Sequence, residues 1–328
     1  MSRVMKIFWI VGSLLLAGCI ASGQGVFENA SEIVKHEAQP VRGFAYPYYL
    51  FLPKTMREAG NVKRKHTLLV IPNNSGQLSD DLTLQEDDAK LSIKRFAKIF
   101  ERLGVAILMP VFPRSKRDWK IYTHALDRDV MITDKKEFSR LDLQLVKMID
   151  DALTNLAGKR VRFHKRVFIM GFSASGMFAN RFTFLHPKQV KAVAVGSPGG
   201  WAIAPVASFM NKTLRYPIGI NDLKLVSGEK FDLRTLRKVP HFMFLGDKDE
   251  NDSVPFRDGY EKEDEDLIFA LFGKTPLERW KVSEELYRDN KLNAEFRLYP
   301  GVKHALTDEM VSDLIEFFSK YKDQNNEK

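Results

Sequence analysis

Cysteine is almost absent from this sequence, since Cys19 is the only one among 328 residues. A single cysteine excludes a framework of internal disulfides. Long apolar segments are missing as well: the most apolar stretch, residues 7–20, is shorter than the roughly 20 residues of a membrane-spanning helix. There is no basic stripe either, because the net charge of +9 is spread among interspersed acidic residues. Nucleic acid is therefore not an expected partner.

The amino terminus has the features of a secretory signal. Arg3 and Lys6 precede the apolar stretch, which ends in Leu-Ala-Gly-Cys at positions 16–19. These four residues resemble the bacterial lipoprotein cleavage box. The resemblance implies cleavage before Cys19, diacylglycerol on its thiol and acylation of the new amino terminus, so a membrane is an expected partner. Ile20 after the cysteine implies the outer membrane of an envelope that has one. The alternative is an ordinary signal peptide with an incidental cysteine.

The rest of the chain predicts one domain of the α/β class. Residues 1–18 are interpreted as the signal peptide, 19–41 as a tether and 42–328 as a single domain. Short apolar runs alternate with amphipathic ones, which is typical of helices packed on a mainly parallel sheet. Strands are predicted at 48–52, 67–71, 105–111, 167–172, 190–196, 242–246 and 295–299.

Two further segments have specific predictions. A helix is expected after a capping box formed by Ser139 and Asp142, and Gly158 is expected to end it. The aromatic-rich segment 197–239 is either a lid or substrate wall or an inert surface excursion. Trp201 within it is a candidate substrate-binding residue.

Residues 166–177 are the most informative part of the sequence. An apolar strand runs into Gly-Phe-Ser-Ala-Ser-Gly and then into a segment compatible with a helix. This arrangement is typical of a nucleophile elbow, a strained turn that exposes a serine hydroxyl. Ser173 occupies the apex, two residues after Gly171. Ser175 is the alternative nucleophile, but its own second flank would be Met177, which is too large for such a turn.

A serine hydroxyl also needs a base to take its proton and a third group to hold that base in one tautomer. His304 follows the last predicted strand, in a loop that can fold back over the edge of the sheet. Asp249 and Asp252 both follow the strand predicted at 242–246. His124 lies in the region after the strand at 105–111, where it is expected to contact substrate.

The acidic residues after 246 also imitate a calcium loop, Asp-x-Asp-x-Asn. The sixth position is Asp252 instead of glycine, the twelfth is Asp258 instead of glutamate, and the preceding element is a strand rather than a helix. We therefore expect no metal. Serine-based acyl transfer requires no other cofactor.

Three motifs follow one another in order, each at the end of a predicted strand. They are Gly-Phe-Ser-Ala-Ser-Gly at 171–176, Gly-Asp-Lys-Asp at 246–249 and Gly-Val-Lys-His at 301–304. From about residue 44 to 318 the chain resembles the α/β-hydrolases, within them the secreted esterase and polyhydroxyalkanoate-depolymerase-like branch. The resemblance implies a mostly parallel sheet of about eight strands with helices on both faces, and a triad of Ser173, Asp249 and His304.

The same resemblance implies an oxyanion hole, the donors that stabilise charge on the attacked carbonyl. One donor would be the backbone N–H of Ala174, directly after the nucleophile. The other would come from the loop at 72–76, where Asn73-Asn74 replaces the commoner His-Gly, and Asn74 is the candidate.

Together these features predict an envelope-anchored, extracytoplasmic serine hydrolase that cleaves esters in a small molecule or polymer. A peptidase, thioesterase or acyltransferase on the same triad is an alternative. A lipid-anchored binding protein that has lost activity is another, and the departures at Ser175 and at Asn73-Asn74 would favour it.

Overall fold

The computed structural model describes residues 31–58, 61, 64–159 and 161–324. Eight strands form one sheet: β1 (Glu32–His36), β2 (Tyr48–Leu52), β4 (Leu68–Val70), β5 (Ala106–Pro110), β7 (Val167–Phe172), β8 (Val190–Gly196), β11 (His241–Gly246) and β12 (Ala294–Tyr299). Their order across the sheet is β1-β2-β5-β4-β7-β8-β11-β12. β1 and β2 are antiparallel to their neighbours, and the other adjacent pairs are parallel.

Two strand pairs lie outside the sheet, and helices connect and cover its strands. The pairs are β3 (Lys65–His66) with β6 (Arg162–Phe163), and β9 (Ser208–Phe209) with β10 (Lys212–Thr213). The helices are α1 (Leu82–Ile99), α2 (Arg128–Ile132), α3 (Leu141–Gly158), α4 (Ala174–Leu185), α5 (Leu223–Ser227), α6 (Leu233–Leu236), α7 (Lys262–Phe272), α8 (Pro276–Asp289) and α9 (Asp308–Lys322).

The central strands are apolar because both faces of the sheet are covered. Every residue of β5, β8 and β11 is buried. One apolar cluster contains side chains of α3 and α4, and a second contains side chains of α1 and α9. Strands enclosed in this way lose the alternation of polar and apolar residues that a half-exposed sheet shows. The predicted α/β class and the sheet of about eight strands are confirmed.

All seven predicted strands exist, and those at 48–52, 167–172 and 190–196 have the predicted bounds. The described part of the proposed tether, however, contains β1. This strand pairs antiparallel with β2, from Glu32 opposite Leu52 to His36 opposite Tyr48. The sequence of β1, Glu-Ile-Val-Lys-His, is neither a continuous apolar run nor an alternation of polar and apolar residues, so it carries no clear strand signal. All five of its residues are half-buried. Residues 32–36 of the predicted tether therefore belong to the main sheet, and the prediction is wrong for them.

The predicted capping box of α3 is also wrong. The helix begins after Arg140, which has a left-handed φ of 51° and makes no side-chain cap. Asp142 instead accepts two hydrogen bonds from the Arg140 guanidinium and lies 2.8 Å from Nε2 of His186. Burial opposes ionisation of Asp142, but the hydrogen bonds from His186 and Arg140 outweigh it and lower its pKa to about 2. An ion pair has thus replaced the local cap. The helix does end at Gly158, as predicted.

The segment 197–239 is packed against the domain. Trp201, Leu214 and Ile218 lie in a third apolar cluster together with residues of α7. The Trp201 ring stacks on Phe272 with the centroids 4.0 Å apart. The buried part of segment 197–239 is therefore not an inert surface excursion. That the segment moves as a lid stays a prediction.

The proposed signal peptide and lipid-bearing Cys19 lie outside the described residues. Within the described ranges, no helix combines the length and apolar character needed to cross a bilayer.

Candidate active site

The turn between β7 and α4 holds Ser173 in a strained conformation. Its φ of 62° and ψ of −127° lie in a region of backbone conformation that residues other than glycine rarely adopt. The backbone N–H of Ser173 donates to the Gly196 carbonyl at 2.9 Å, which ties the turn to β8. Strain of this kind persists only where the surrounding structure enforces it, and it concentrates at functional sites.

Two glycines make this turn possible. A β-carbon on Gly171 would overlap the backbone carbonyl of Ser175, and one on Gly176 would lie 2.6 Å from the Gly196 carbonyl oxygen. The tight contacts therefore fall at positions 171 and 176. Position 175 accepts a serine, so the Ser175 departure is compatible with the elbow.

The Ser175 hydroxyl is not free to act as a nucleophile in this conformation. It is buried, donates to the Phe172 carbonyl at 2.9 Å and accepts from the Phe172 N–H at 3.0 Å. Ser173, by contrast, is partly exposed, and its hydroxyl makes no hydrogen bond with any described residue. Ser173 is the accessible hydroxyl of the pair.

His304 and Asp249 meet at the carboxyl ends of β12 and β11. Nδ1 of His304 lies 2.9 Å and 3.1 Å from the two carboxylate oxygens of Asp249. Because an ionised carboxylate only accepts, Nδ1 carries a hydrogen, and in the neutral ring the lone pair is then on Nε2. The His304 ring also packs on Phe172, the residue before Ser173, with the ring centroids 4.9 Å apart. The imidazole is thus both oriented and adjacent to the elbow.

The carboxyl group of Asp249 is nearly buried, with 5% of the residue exposed. Burial raises its pKa, but the hydrogen bonds from His304 and from the Asn251 backbone outweigh that effect, so the pKa is lowered. Asp249 therefore stays ionised and holds the tautomer of His304.

Asp252, the alternative acid, has a different partner. Its carboxylate is 2.6 Å from the guanidinium of the buried Arg279 and accepts the N–H of Val254. Of the two candidates, the structure brings Asp249 to His304 and directs Asp252 away from it.

Sequence reasoning missed Asn251. Its Nδ2 lies 3.1 Å from Nε2 of His304, and its backbone N–H donates to Asp249 at 2.9 Å. Nε2 of His304 is the atom that would accept a proton from Ser173. In this conformation its lone pair points to Asn251, and no hydrogen bond among the described residues joins it to the Ser173 hydroxyl. Only the acidic loop 247–255 could have drawn attention to this asparagine.

The loop after β4 also reaches the elbow. Oδ1 of Asn74 accepts the backbone N–H of Ser175 at 3.2 Å and that of Ser75 at 3.0 Å. Ala174 is the first residue of α4, so its N–H has no carbonyl partner within the helix. The two residues expected at the oxyanion hole therefore lie beside the same turn.

His124 is placed differently from its prediction. Its side chain is completely buried, and Nε2 lies 2.9 Å from both the Phe112 carbonyl oxygen and Nδ2 of Asn73. Burial lowers the pKa of His124 to about 3, so the ring is neutral at neutral pH. The Asn73 amide exchanges two hydrogen bonds with the Phe112 backbone. His124 therefore supports the loop that carries Asn74, and its predicted contact with substrate is corrected.

Trp201 is likewise interior, with 1% of its surface exposed, and its indole N–H donates to the Ile218 carbonyl at 2.8 Å. Its predicted contact with substrate is corrected for the same reason. Among the described residues, no group of three His, Cys, Asp or Glu side chains is arranged to hold a metal ion.

A cavity of about 410 Å³ opens beside the elbow. Its lining residues come from the loop after β4, from β5, α1 and the elbow, and from the loop after β12: Ile71, Pro72, Asn73, Asn74, Ser92, Arg95, Phe96, Met109, Met170, Gly171, Phe172, Ser175, His304, Ala305 and Leu306. The cavity therefore touches His304 and the candidate oxyanion loop, and its size suits a small-molecule ligand.

No protein-family model matches the sequence, and no curated protein is detectably similar to it. Solved structures are similar. Poly(aspartic acid) hydrolase-1 from Sphingomonas sp. KT-1 is 14% identical with a TM-score of 0.55, over 89% of this chain and 97% of that one. LpqC, a poly(3-hydroxybutyrate) depolymerase from Bordetella parapertussis, is 15% identical with a TM-score of 0.56, over 91% of this chain and 93% of that one. This similarity shows the fold, and the chain has the α/β-hydrolase fold.

The contact under Gly171 predicts a sharp steric effect. Gly171→Ala should destabilise the protein by about 3 kcal/mol or more, because the added methyl group meets a backbone carbonyl that cannot move independently. Gly158→Ala is the matched control, since its β-carbon meets nothing within 4 Å. Urea unfolding of both variants measures the difference, and equal stability of the two would contradict the proposed close packing of the elbow.

Proposed function

We propose that the protein is a serine hydrolase that cleaves ester bonds through Ser173, His304 and Asp249. The observation that carries the proposal is a convergence at one edge of the sheet. A strained, accessible serine follows β7, and a histidine oriented by a buried carboxylate packs on the residue before that serine. Such a base and orienting acid are what a serine hydroxyl needs to become a nucleophile.

In the proposed reaction, Oγ of Ser173 attacks the ester carbonyl as Nε2 of His304 takes its proton. Asp249 stabilises the imidazolium, and the backbone N–H groups of Ala174 and the Asn74 loop stabilise the oxyanion. Nε2 then gives the proton to the departing alcohol, which leaves an acyl group on Ser173. Water, deprotonated by the same nitrogen, releases the acid and restores the serine.

The reaction requires Asn251 to release Nε2 of His304. The existing contact is a single hydrogen bond of 3.1 Å, made by an exposed side chain. Such a bond contributes about 1 kcal/mol, so exchanging it for the Ser173 hydroxyl is a small step on the scale of catalysis. Substrate that displaces the Asn251 amide would complete the triad as it binds.

We also propose that the mature protein is held on the bacterial cell envelope, outside the cytoplasm, by lipid on Cys19. The support is the sequence of residues 3–19 alone: two basic residues, a short apolar stretch and the Leu-Ala-Gly-Cys end. Several acyl chains on one cysteine give stable attachment where a single chain does not.

A fluorophosphonate probe tests the nucleophile, because it reacts covalently with activated serines. The intact protein should be labelled, and Ser173→Ala should abolish the labelling. Ser175→Ala is the matched control and should keep it, since that hydroxyl only bonds the Phe172 backbone. Folded protein that takes up no label would favour a non-catalytic binding protein instead.

The hydrolysis rate of an aryl ester distinguishes Asp249 from Asp252 as the acid of the triad. Asp249→Asn should lower kcat by about 10⁴-fold, the loss seen when the orienting acid of a serine protease is replaced. Asp252→Asn should act mainly on stability, because Asp252 pairs with Arg279. Activities are compared per folded molecule, measured by circular dichroism, and a larger loss in Asp252→Asn would overturn the assignment.

Membrane fractionation tests the anchor. Cys19→Ser should move the protein from the membrane to the soluble fraction and remove incorporation of labelled palmitate. Ser22→Ala, three residues further on, should leave both unchanged. A Cys19→Ser protein that is secreted and still sediments with membranes would contradict lipid anchoring.

A further inference from the structure

The charge in the cavity beside the elbow is unbalanced. Of the residues that line it, Arg95 alone is permanently charged, and no carboxylate is among them. Much of the remaining wall is apolar, including Ile71, Phe96, Met109 and Leu306. A neutral ligand that filled this space would place nothing of opposite charge against the guanidinium.

Arg95 also lacks a partner elsewhere in the described ranges of the chain, where it forms no ion pair and no hydrogen bond. The residues three and four positions away on α1 are Leu91, Ser92, Lys98 and Ile99, so no acid is present at the spacing at which helical side chains pair. Other arginines near the site are satisfied: Arg114 pairs with Asp258 and Arg279 with Asp252.

The cavity lies between this cation and the elbow with His304. Arg95 and Ser92 contribute to its α1 side, and Asn74, Ser175 and His304 contribute to its elbow side. Ser173 does not itself line the cavity, but the lining residues Phe172 and Ser175 lie on either side of it in the chain, so an ester carbonyl held against Ser173 would lie at the elbow side of the cavity. One ligand in the cavity can therefore reach the elbow with an ester carbonyl and Arg95 with a group several bonds away.

A guanidinium presents a planar fork of N–H donors that matches a carboxylate. We infer that this cavity binds the acyl part of esters whose acyl group ends in a carboxylate, and that Arg95 binds that carboxylate. The substrate class is therefore half-esters of dicarboxylic acids, as single units or as chain ends. This inference rests on the proposed function of Ser173.

Two aryl esters of similar length test it: the 4-nitrophenyl half-ester of glutaric acid and the 4-nitrophenyl ester of hexanoic acid. The ratio of their kcat/KM values measures the preference for a carboxylate. Arg95→Gln should lower this ratio about 2- to 5-fold, the range for the loss of an ion pair made by an exposed side chain. Arg95→Lys should recover part of it, because the charge returns without the fork.

Lys98→Gln is the matched control. It removes the same charge from the next turn of α1 but does not line the cavity, so it should keep the ratio. Because Arg95 is exposed at the cavity mouth, added salt should lower the preference of the intact enzyme. An Arg95→Gln ratio equal to that of the intact enzyme, or a Lys98→Gln ratio that falls equally, would overturn the inference.

A binding measurement separates this inference from the proposed function. Glutarate is titrated by calorimetry into Ser173→Ala protein and into the double variant that also carries Arg95→Gln. Binding that depends on Arg95 supports the carboxylate site even if neither ester is cleaved, in which case the hydrolase proposal fails alone. Hydrolysis of both esters without Arg95-dependent preference or glutarate binding overturns the carboxylate site and leaves the hydrolase proposal standing.

Discussion

The contact between two backbones at the elbow is the constraint on which the site depends. β7 and α4 approach so closely that the Ser175 carbonyl fills the space where residue 171 would carry a β-carbon, and the Gly196 carbonyl of β8 does the same at residue 176. The chain can turn between them only if Ser173 takes a left-handed φ. That strain lifts the Ser173 side chain out of the packed interior while the backbone around it stays fixed. A looser junction would relieve the strain and lose the orientation of the hydroxyl.

The other side chains of the site converge because parallel strands end at the same edge of the sheet. Asn74, Ser173, Asp249 and His304 follow β4, β7, β11 and β12, and each lies within a few residues of its strand. Their common location is therefore a property of strand order and not of any one loop. The loops decide the finer arrangement: Asn73 and His124 fix one of them to the Phe112 backbone, and Arg279 holds Asp252 in another.

Charge is distributed unequally around this edge. The buried Asp249 is compensated by His304 and by a backbone N–H, and the half-buried Asp252 is compensated by the buried Arg279. Arg95, on the opposite wall of the cavity, has no such compensation among the described residues. Buried charges must be paired because their desolvation is costly, whereas an exposed cation can remain unpaired at little cost until a ligand arrives. The unpaired guanidinium of Arg95 is therefore accessible to a ligand in the cavity.

The α/β class, seven strands of the main sheet and the order of the three motifs could be predicted from the amino-acid sequence, because apolar runs, glycines and strand ends are local properties of the chain. The sequence also pointed to Ser173, Asp249 and His304 as candidates, since each lies within five residues of the end of a strand. Which residues meet could be seen only in the folded chain. Asp249 rather than Asp252 reaches His304, and Asn251 donates to Nε2 of that histidine. His124 and Trp201 are buried in the interior. Part of the expected tether is β1, and the expected capping residue Asp142 forms an ion pair with Arg140 instead. These outcomes depend on contacts between residues far apart in the chain, which no local pattern encodes.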